Sequence, residues 1–79
     1  MNLDDPEILE DLKTLESAKR YLRAGEEFLR QGNFGTGLAF LELFREHRAE
    51  LKDPIFRLYI DKRYIMACRD CGLGVYTRN

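Results

Sequence analysis

Tryptophan is absent from this chain, histidine occurs once, and no apolar run approaches the length of about 18 residues that a membrane-spanning helix needs. The sequence therefore predicts no transmembrane helix. A single histidine, His47, cannot by itself supply a nucleophile–base–acid set. The glycines at 35 and 37 lack the Lys-Ser/Thr pair of a phosphate-binding loop. These absences argue against an enzyme and against a cofactor.

The composition is that of a small folded protein. The 79 residues allow one domain with a modest core, and 44% hydrophobic with 34% charged residues suits a soluble globular chain rather than a disordered one. The segment Met1–Asp5 is acidic and lacks the basic and apolar regions of a signal peptide. We therefore expect a cytoplasmic protein.

Charge is distributed unevenly along the chain. Residues 1–17 carry six acidic side chains against one lysine, whereas residues 52–79 carry six basic side chains against three acidic ones. The ends of the chain could attract each other within one molecule or between two molecules. The alternative is that both groups of charges are simply solvated surface.

The first helix is predicted over residues 6–31. Asp5 is a suitable N-cap, Pro6 suits the first helical position, and acidic residues favour the start of a helix. Short polar side chains at Thr14–Ser17 are a candidate kink. Apolar or small residues recur at helical spacing, at Ile8, Leu12, Leu15, Ala18, Leu22, Gly25 and Leu29.

Two further helices follow after short loops. Gly32 is suited to end the first helix and Asn33 to cap the second, which is predicted over residues 34–51. The breadth of its apolar face predicts that this helix is the most buried of the three.

Asp53-Pro54 repeats the start signal and predicts a third helix over residues 54–70, followed by a loose tail at 72–79. Short loops make neighbouring helices antiparallel. The prediction is an all-α, three-helix domain spanning residues 1–79.

Residues 18–51 resemble one tetratricopeptide repeat. The aromatic residues Tyr21 and Phe28 flank the small pair Ala24-Gly25, and a Gly-Asn turn before Phe34 leads to Gly37 and Leu41. Gly25 and Gly37 are expected where the two helices approach most closely. The chain departs from the family's pattern at Phe44 and Ala49, where a small residue and a proline are usual, and no second copy follows residue 52.

The resemblance implies a protein that binds an extended or helical peptide on its first helix. The residues that it places on that face are Lys19, Leu22, Glu26, Leu29 and Arg30. Leu22 and Leu29 are candidate anchors if they are exposed, and the alternative is that they pack in the core. A small domain with surplus apolar surface is also suited to form a twofold homodimer.

Two other sites remain open as alternatives. Cys68 and Cys71 have the spacing of a zinc-binding pair, although a full site needs four ligands and therefore a second chain or His47 with another group. The competing explanation is two reduced thiols in the cytosol.

The third helix also interleaves basic and aromatic residues, which could contact phosphates and stack on bases. The residues concerned are Arg57, Tyr59, Lys62, Arg63, Tyr64 and Arg69. The functional prediction is a non-enzymatic protein-interaction module (an adaptor, a regulator or an assembly subunit), with a nucleic-acid-associated regulator or a zinc-bridged dimer as alternatives.

Overall fold

The computed structural model describes residues 5–70, which form a small all-α domain without strands in that range. The elements are α1 (Pro6–Arg30), α2 (Phe34–Glu46), a 3₁₀ turn (His47–Glu50) and α3 (Pro54–Asp70). The predicted fold class is thus confirmed, and the bounds of the first and third helices agree with the prediction to within one residue. The tail predicted at 72–79 lies outside the described residues.

The helix ends follow the sequence signals closely. The Asp5 carboxylate accepts a hydrogen bond from the Glu7 amide at 2.9 Å, and the Asp53 carboxylate accepts one from the Ile55 amide at 2.9 Å. Gly32 has a φ of 83°, and the amides of Gly32 and Asn33 donate to the carbonyls of Leu29 and Phe28. This is the Schellman arrangement that ends a helix at a left-handed glycine.

The start of α2 agrees with the prediction, but its end does not. Asn33 occupies the N-cap position of α2, although its side chain makes no capping hydrogen bond. The second helix does not continue to residue 51 as an α-helix, because it tightens into a 3₁₀ turn after Glu46. The His47 ring donates from Nδ1 to the Leu43 carbonyl at 2.7 Å, while the His47 amide donates to the Phe44 carbonyl, which is the tighter i−3 pattern of a 3₁₀ turn.

The helix α1 is continuous through residues 14–17, where the sequence offered a candidate kink. Its buried stripe also differs by one position from the expected one: Leu12 is 39% exposed, whereas Asp11 is only 2% exposed. The buried residues of α1 are Asp11, Leu15, Ala18, Leu22, Gly25 and Leu29. This regular spacing of three and four makes α1 the central helix of the domain.

The helices α1 and α2 form the predicted antiparallel hairpin, in which two glycines permit a close approach. A Cβ added to Gly25 would lie 3.0 Å from Leu41 Cγ, and one added to Gly37 would lie 2.7 Å from Leu29 Cγ. The expectation for both glycines is therefore confirmed. Tyr21 and Phe28 also pack on α2, with ring centroids 6.2 and 5.5 Å from that of Phe40.

The helix α3 lies across the other side of the hairpin. It is antiparallel to α2, as expected for neighbours. It is parallel to α1, because Asp11 contacts the amides of Lys52 and Asp53 while Glu26, further along α1, reaches Arg63. The core between the helices includes Leu15, Leu22, Leu29, Leu41, Phe44, Leu51 and Ile60.

The helix α2 is less buried than its composition predicted. Phe34 is 46% exposed and Leu43 is 41% exposed, and the buried residues of the helix are Gly37, Leu41 and Phe44. The prediction that α2 is the most buried helix is therefore wrong. The difference arises because α2 meets its neighbours along one narrow stripe, which leaves the rest of its wide apolar surface uncovered.

Candidate functional site

The side of α3 that points away from the domain is largely apolar. At about 3.6 residues per turn, this side lies opposite the buried residues Ile60 and Ala67. We call it the outer face of α3, and define it as Ile55, Leu58, Lys62, Ile65, Met66 and Arg69, all of which are exposed. Its apolar members are exposed by 65% at Ile55, 53% at Leu58, 54% at Ile65 and 46% at Met66.

This exposure is unusual for a helix of a small domain. A surface helix normally confines its apolar residues to the side that faces the core, and a helix that is apolar all round is normally buried all round. In α3 only Ile60 and Ala67 are buried, while four larger apolar side chains face outward. A contiguous exposed apolar surface of this kind marks an interaction site.

A shallow open cleft of about 680 Å³ adjoins the outer face at Ile65 and brings two arginines beside it. Arg48 Nε lies 3.1 Å from Asp61 Oδ2, and the Arg45 guanidinium lies 4.8 Å from the centre of the Tyr64 ring. The cleft is lined by Arg45, Glu46, Arg48, Ala49, Asp61, Tyr64 and Ile65. Both arginines have acidic neighbours, Asp61 for Arg48 and Glu42 at 3.9 Å for Arg45, so the positive charge of the outer face itself comes from Lys62 and Arg69.

Tyr64 joins this cleft to α2. Its hydroxyl donates to Glu42 Oε1 at 2.7 Å. Burial, followed by the hydrogen bond to Glu42, raises the pKa of Tyr64 to about 12. The phenol is therefore protonated at neutral pH and acts as a donor that holds α3 against α2.

A second exposed apolar surface lies on the first half of α1 and is acidic. Leu9 is 46% exposed and Leu12 is 39% exposed. The exposed carboxylates Glu7, Glu10 and Glu16 lie on the same two and a half turns. We call residues 7–16 the acidic segment of α1, although it also carries the exposed Lys13.

The structure separates the five residues that the sequence placed in a partner-binding face. Leu22 and Leu29 are each 3% exposed and pack in the core, so they are not available as exposed anchors. The reason is that their side of α1 is covered by the hairpin contact and by α3. The structure therefore shows the alternative that the sequence left open, in which both leucines pack in the core.

The other three predicted residues have ordinary surface contacts. Lys19 Nζ lies 5.9 Å from the centre of the Tyr59 ring, and Glu26 lies 3.5 Å from an Arg63 nitrogen, so both tie α1 to α3. Arg30 pairs with Glu27 at 3.2 Å near the end of α1. Their role in binding a partner stays a prediction.

Asp11 is a structurally important residue that sequence reasoning missed. Its carboxylate is buried and accepts hydrogen bonds from the Lys52 amide at 3.1 Å and from the Asp53 amide at 2.9 Å. It thereby fixes the loop that positions the start of α3. The signal that could have found it is its spacing, because position 11 continues the stripe of Leu15, Ala18 and Leu22.

The basic residues of α3 do not form a single stripe. Arg57 Nε donates to the Leu51 carbonyl at 2.7 Å, and Arg63 reaches Glu26, so these two cations serve contacts within the domain. Lys62 and Arg69 point away from them on the outer face. This distribution does not favour the stacked, one-sided basic surface that a nucleic-acid interface uses.

Only one of the two cysteines predicted to bind zinc lies in the described part of the chain. Cys68 is half-buried near the end of α3, and Cys71 lies outside the described residues. Among residues 5–70, no group of three or more potential ligands from His, Cys, Asp and Glu converges on one point. A zinc bridge between two chains stays a prediction.

Comparison with known proteins identifies no relative. No protein-family model, no curated protein and no solved structure matches the chain significantly. The tetratricopeptide resemblance is therefore left as a proposal about local geometry. In the described part of the chain, no helix is both long enough and apolar enough to cross a membrane.

Proposed function

We propose that this domain is a non-enzymatic protein-interaction module, an adaptor, regulator or assembly subunit, that binds through the outer face of α3. The observation that carries the proposal is the exposure of Ile55, Leu58, Ile65 and Met66 on one side of a helix. Covering apolar side chains is the main favourable term in protein association. A cytoplasmic site of action belongs to the same proposal.

The order of the helices supports this function. Stacked helix–turn–helix repeats place each hairpin against the next and leave a surface that a further helix would cover. Here α3 follows a hairpin that resembles a tetratricopeptide repeat and is parallel to its first helix. An uncovered apolar side on the last described helix is what such an arrangement presents to a partner.

The test is to compare the wild-type chain with the variant Leu58→Asp/Ile65→Asp. Both side chains are more than half exposed, so the variant should keep its helical circular dichroism spectrum. The immobilised wild-type chain should either associate with free copies of itself or retain a specific partner from a cell extract at a fixed stoichiometry. The variant should lose that binding, because burying a carboxylate in an apolar contact is costly.

Leu43→Asp is the matched control, because Leu43 is 41% exposed but lies on α2. This variant should bind as the wild type does. Identical binding by all three proteins would show that the outer face of α3 is not the binding surface. Binding to a random DNA duplex that weakens steeply with salt would instead favour a nucleic-acid regulator.

A further inference from the structure

We infer that the occupant of the outer face of α3 is a second copy of this chain, which contributes the acidic segment of its α1. The inference rests on the proposed function and names its partner. Both surfaces combine large exposed apolar side chains with charge, and the signs are opposite. The outer face carries Lys62 and Arg69, whereas the acidic segment carries Glu7, Glu10 and Glu16.

Each copy carries both the outer face of α3 and the acidic segment of α1, so two copies can pair as a twofold dimer. The α1 of one copy contacts α3 of the other, and the same contact recurs in the opposite sense, which closes the assembly. A stable interface buries about 800 Å² on each partner. The reciprocal arrangement applies the contact twice and so covers four large exposed apolar side chains of each copy, Leu9, Leu12, Ile65 and Met66.

The direction of the contact is set by spacing. If the two helices are antiparallel and Lys62 is set opposite Glu16, then Met66 comes opposite Leu12, and Arg69 comes opposite Leu9, towards the acidic start of α1. In the parallel direction, the same pairing would place Arg69 opposite the exposed Arg23. Like charges in contact are unfavourable, so the antiparallel direction is selected.

Self-pairing of two copies of α3 is the less favourable dimer. Lys62 lies in the middle of the outer face, with Ile55 and Leu58 before it and Ile65 and Arg69 after it. An antiparallel pair of outer faces centred there would oppose the two Lys62 side chains at the twofold axis. No carboxylate belongs to the outer face to compensate them, whereas Glu16 of the acidic segment is exposed.

The experiment measures the mass of the full chain by light scattering over a concentration series for wild type, Lys62→Glu, Glu16→Lys and a mixture of these two variants. Wild type should be a dimer. Each single variant should dimerise more weakly by roughly tenfold, because each homodimer has both of its charge contacts reversed. The mixture should dimerise as tightly as wild type. In the heterodimer one contact keeps the original Lys62–Glu16 pair, and in the other contact the two charges are exchanged, so both contacts join opposite charges.

The control is Glu50→Lys, an exposed charge reversal outside both surfaces, which should leave the dimer unchanged. A wild-type chain that stays monomeric, a mass that grows beyond the dimer, or a mixture no tighter than its components would each overturn the inference. The proposed function is judged separately: a monomer that retains a different protein through Leu58 and Ile65 would support the function while refuting the second copy as occupant.

Discussion

The Asp11 carboxylate, at the scale of single residues, links the first helix to the start of the third. It accepts from the Lys52 and Asp53 amides within a site that solvent hardly reaches. We expect Asp11→Ala to lower the free energy of unfolding by about 1–3 kcal/mol, because two partly buried N–H groups lose their acceptor. Urea unfolding followed by circular dichroism measures this change.

The neighbouring Glu10→Ala is the matched control. Glu10 pairs with Lys52 Nζ at 3.0 Å, but both side chains are more than half exposed. Removing an exposed ion pair should cost less than about 1 kcal/mol. Equal losses for the two variants would mean that Asp11 contributes only as a surface charge.

Asp11 also shows where sequence reasoning stops at this scale. The periodicity of α1 predicted one apolar stripe through Leu15, Leu22 and Leu29 but left open whether Leu22 and Leu29 are buried or exposed, and the structure buries all three. On the preceding turn the pattern indicated Leu12 rather than Asp11, because a carboxylate is rarely buried unless hydrogen-bond donors surround it. Those donors lie 41 and 42 residues later in the chain, so no local pattern reveals them.

The packing of α1 on α2, at the scale of elements, depends on Gly37. A Cβ at this position would lie 2.7 Å from Leu29 Cγ and 3.1 Å from the Gly25 carbonyl oxygen. We expect Gly37→Ala to destabilise the domain by about 1–3 kcal/mol through overpacking, although alanine favours helix formation. Thermal unfolding of the variant and the wild type checks this.

Gly35→Ala is the control within the same helix. A Cβ at position 35 has no heavy atom within 4 Å, so the substitution is free of steric cost. It should leave stability unchanged or raise it by up to about 1 kcal/mol, because alanine restricts the unfolded chain. Similar effects of the two substitutions would refute the close approach of the helices at Gly37.

The elements differ in how far their surroundings could be predicted. Caps and glycines are local signals, so the ends at Asp5, Gly32 and Asp53 agree with the prediction. The 3₁₀ turn was missed because residues 47–50 carry no local stop signal such as glycine or proline, and the next proline is Pro54. The outer face of α3 was missed because its apolar residues occupy both sides of the helix, and only the tertiary structure tells which side is covered.

The whole molecule is unevenly stabilised, and this leads to a prediction about its dynamics. The helix α1 buries six residues along its length, whereas α3 buries only Ile60 and Ala67. We therefore expect α3 to open before the α1–α2 hairpin in native-state hydrogen exchange. Its central amides should exchange roughly ten to thirty times faster than those of α1, which corresponds to a difference of about 1–2 kcal/mol in opening free energy.

The same measurement connects stability to association, because a partner that covers the outer face stabilises the closed state of α3. In a dilute sample the amides of α3 should exchange faster than those of α1. In a concentrated sample the exchange of α3 should slow more than that of α1, since binding to the folded form shifts the opening equilibrium by mass action. Equal protection of both helices at low concentration would contradict the prediction, because α3, with two buried residues, would then be held as firmly as α1 with six.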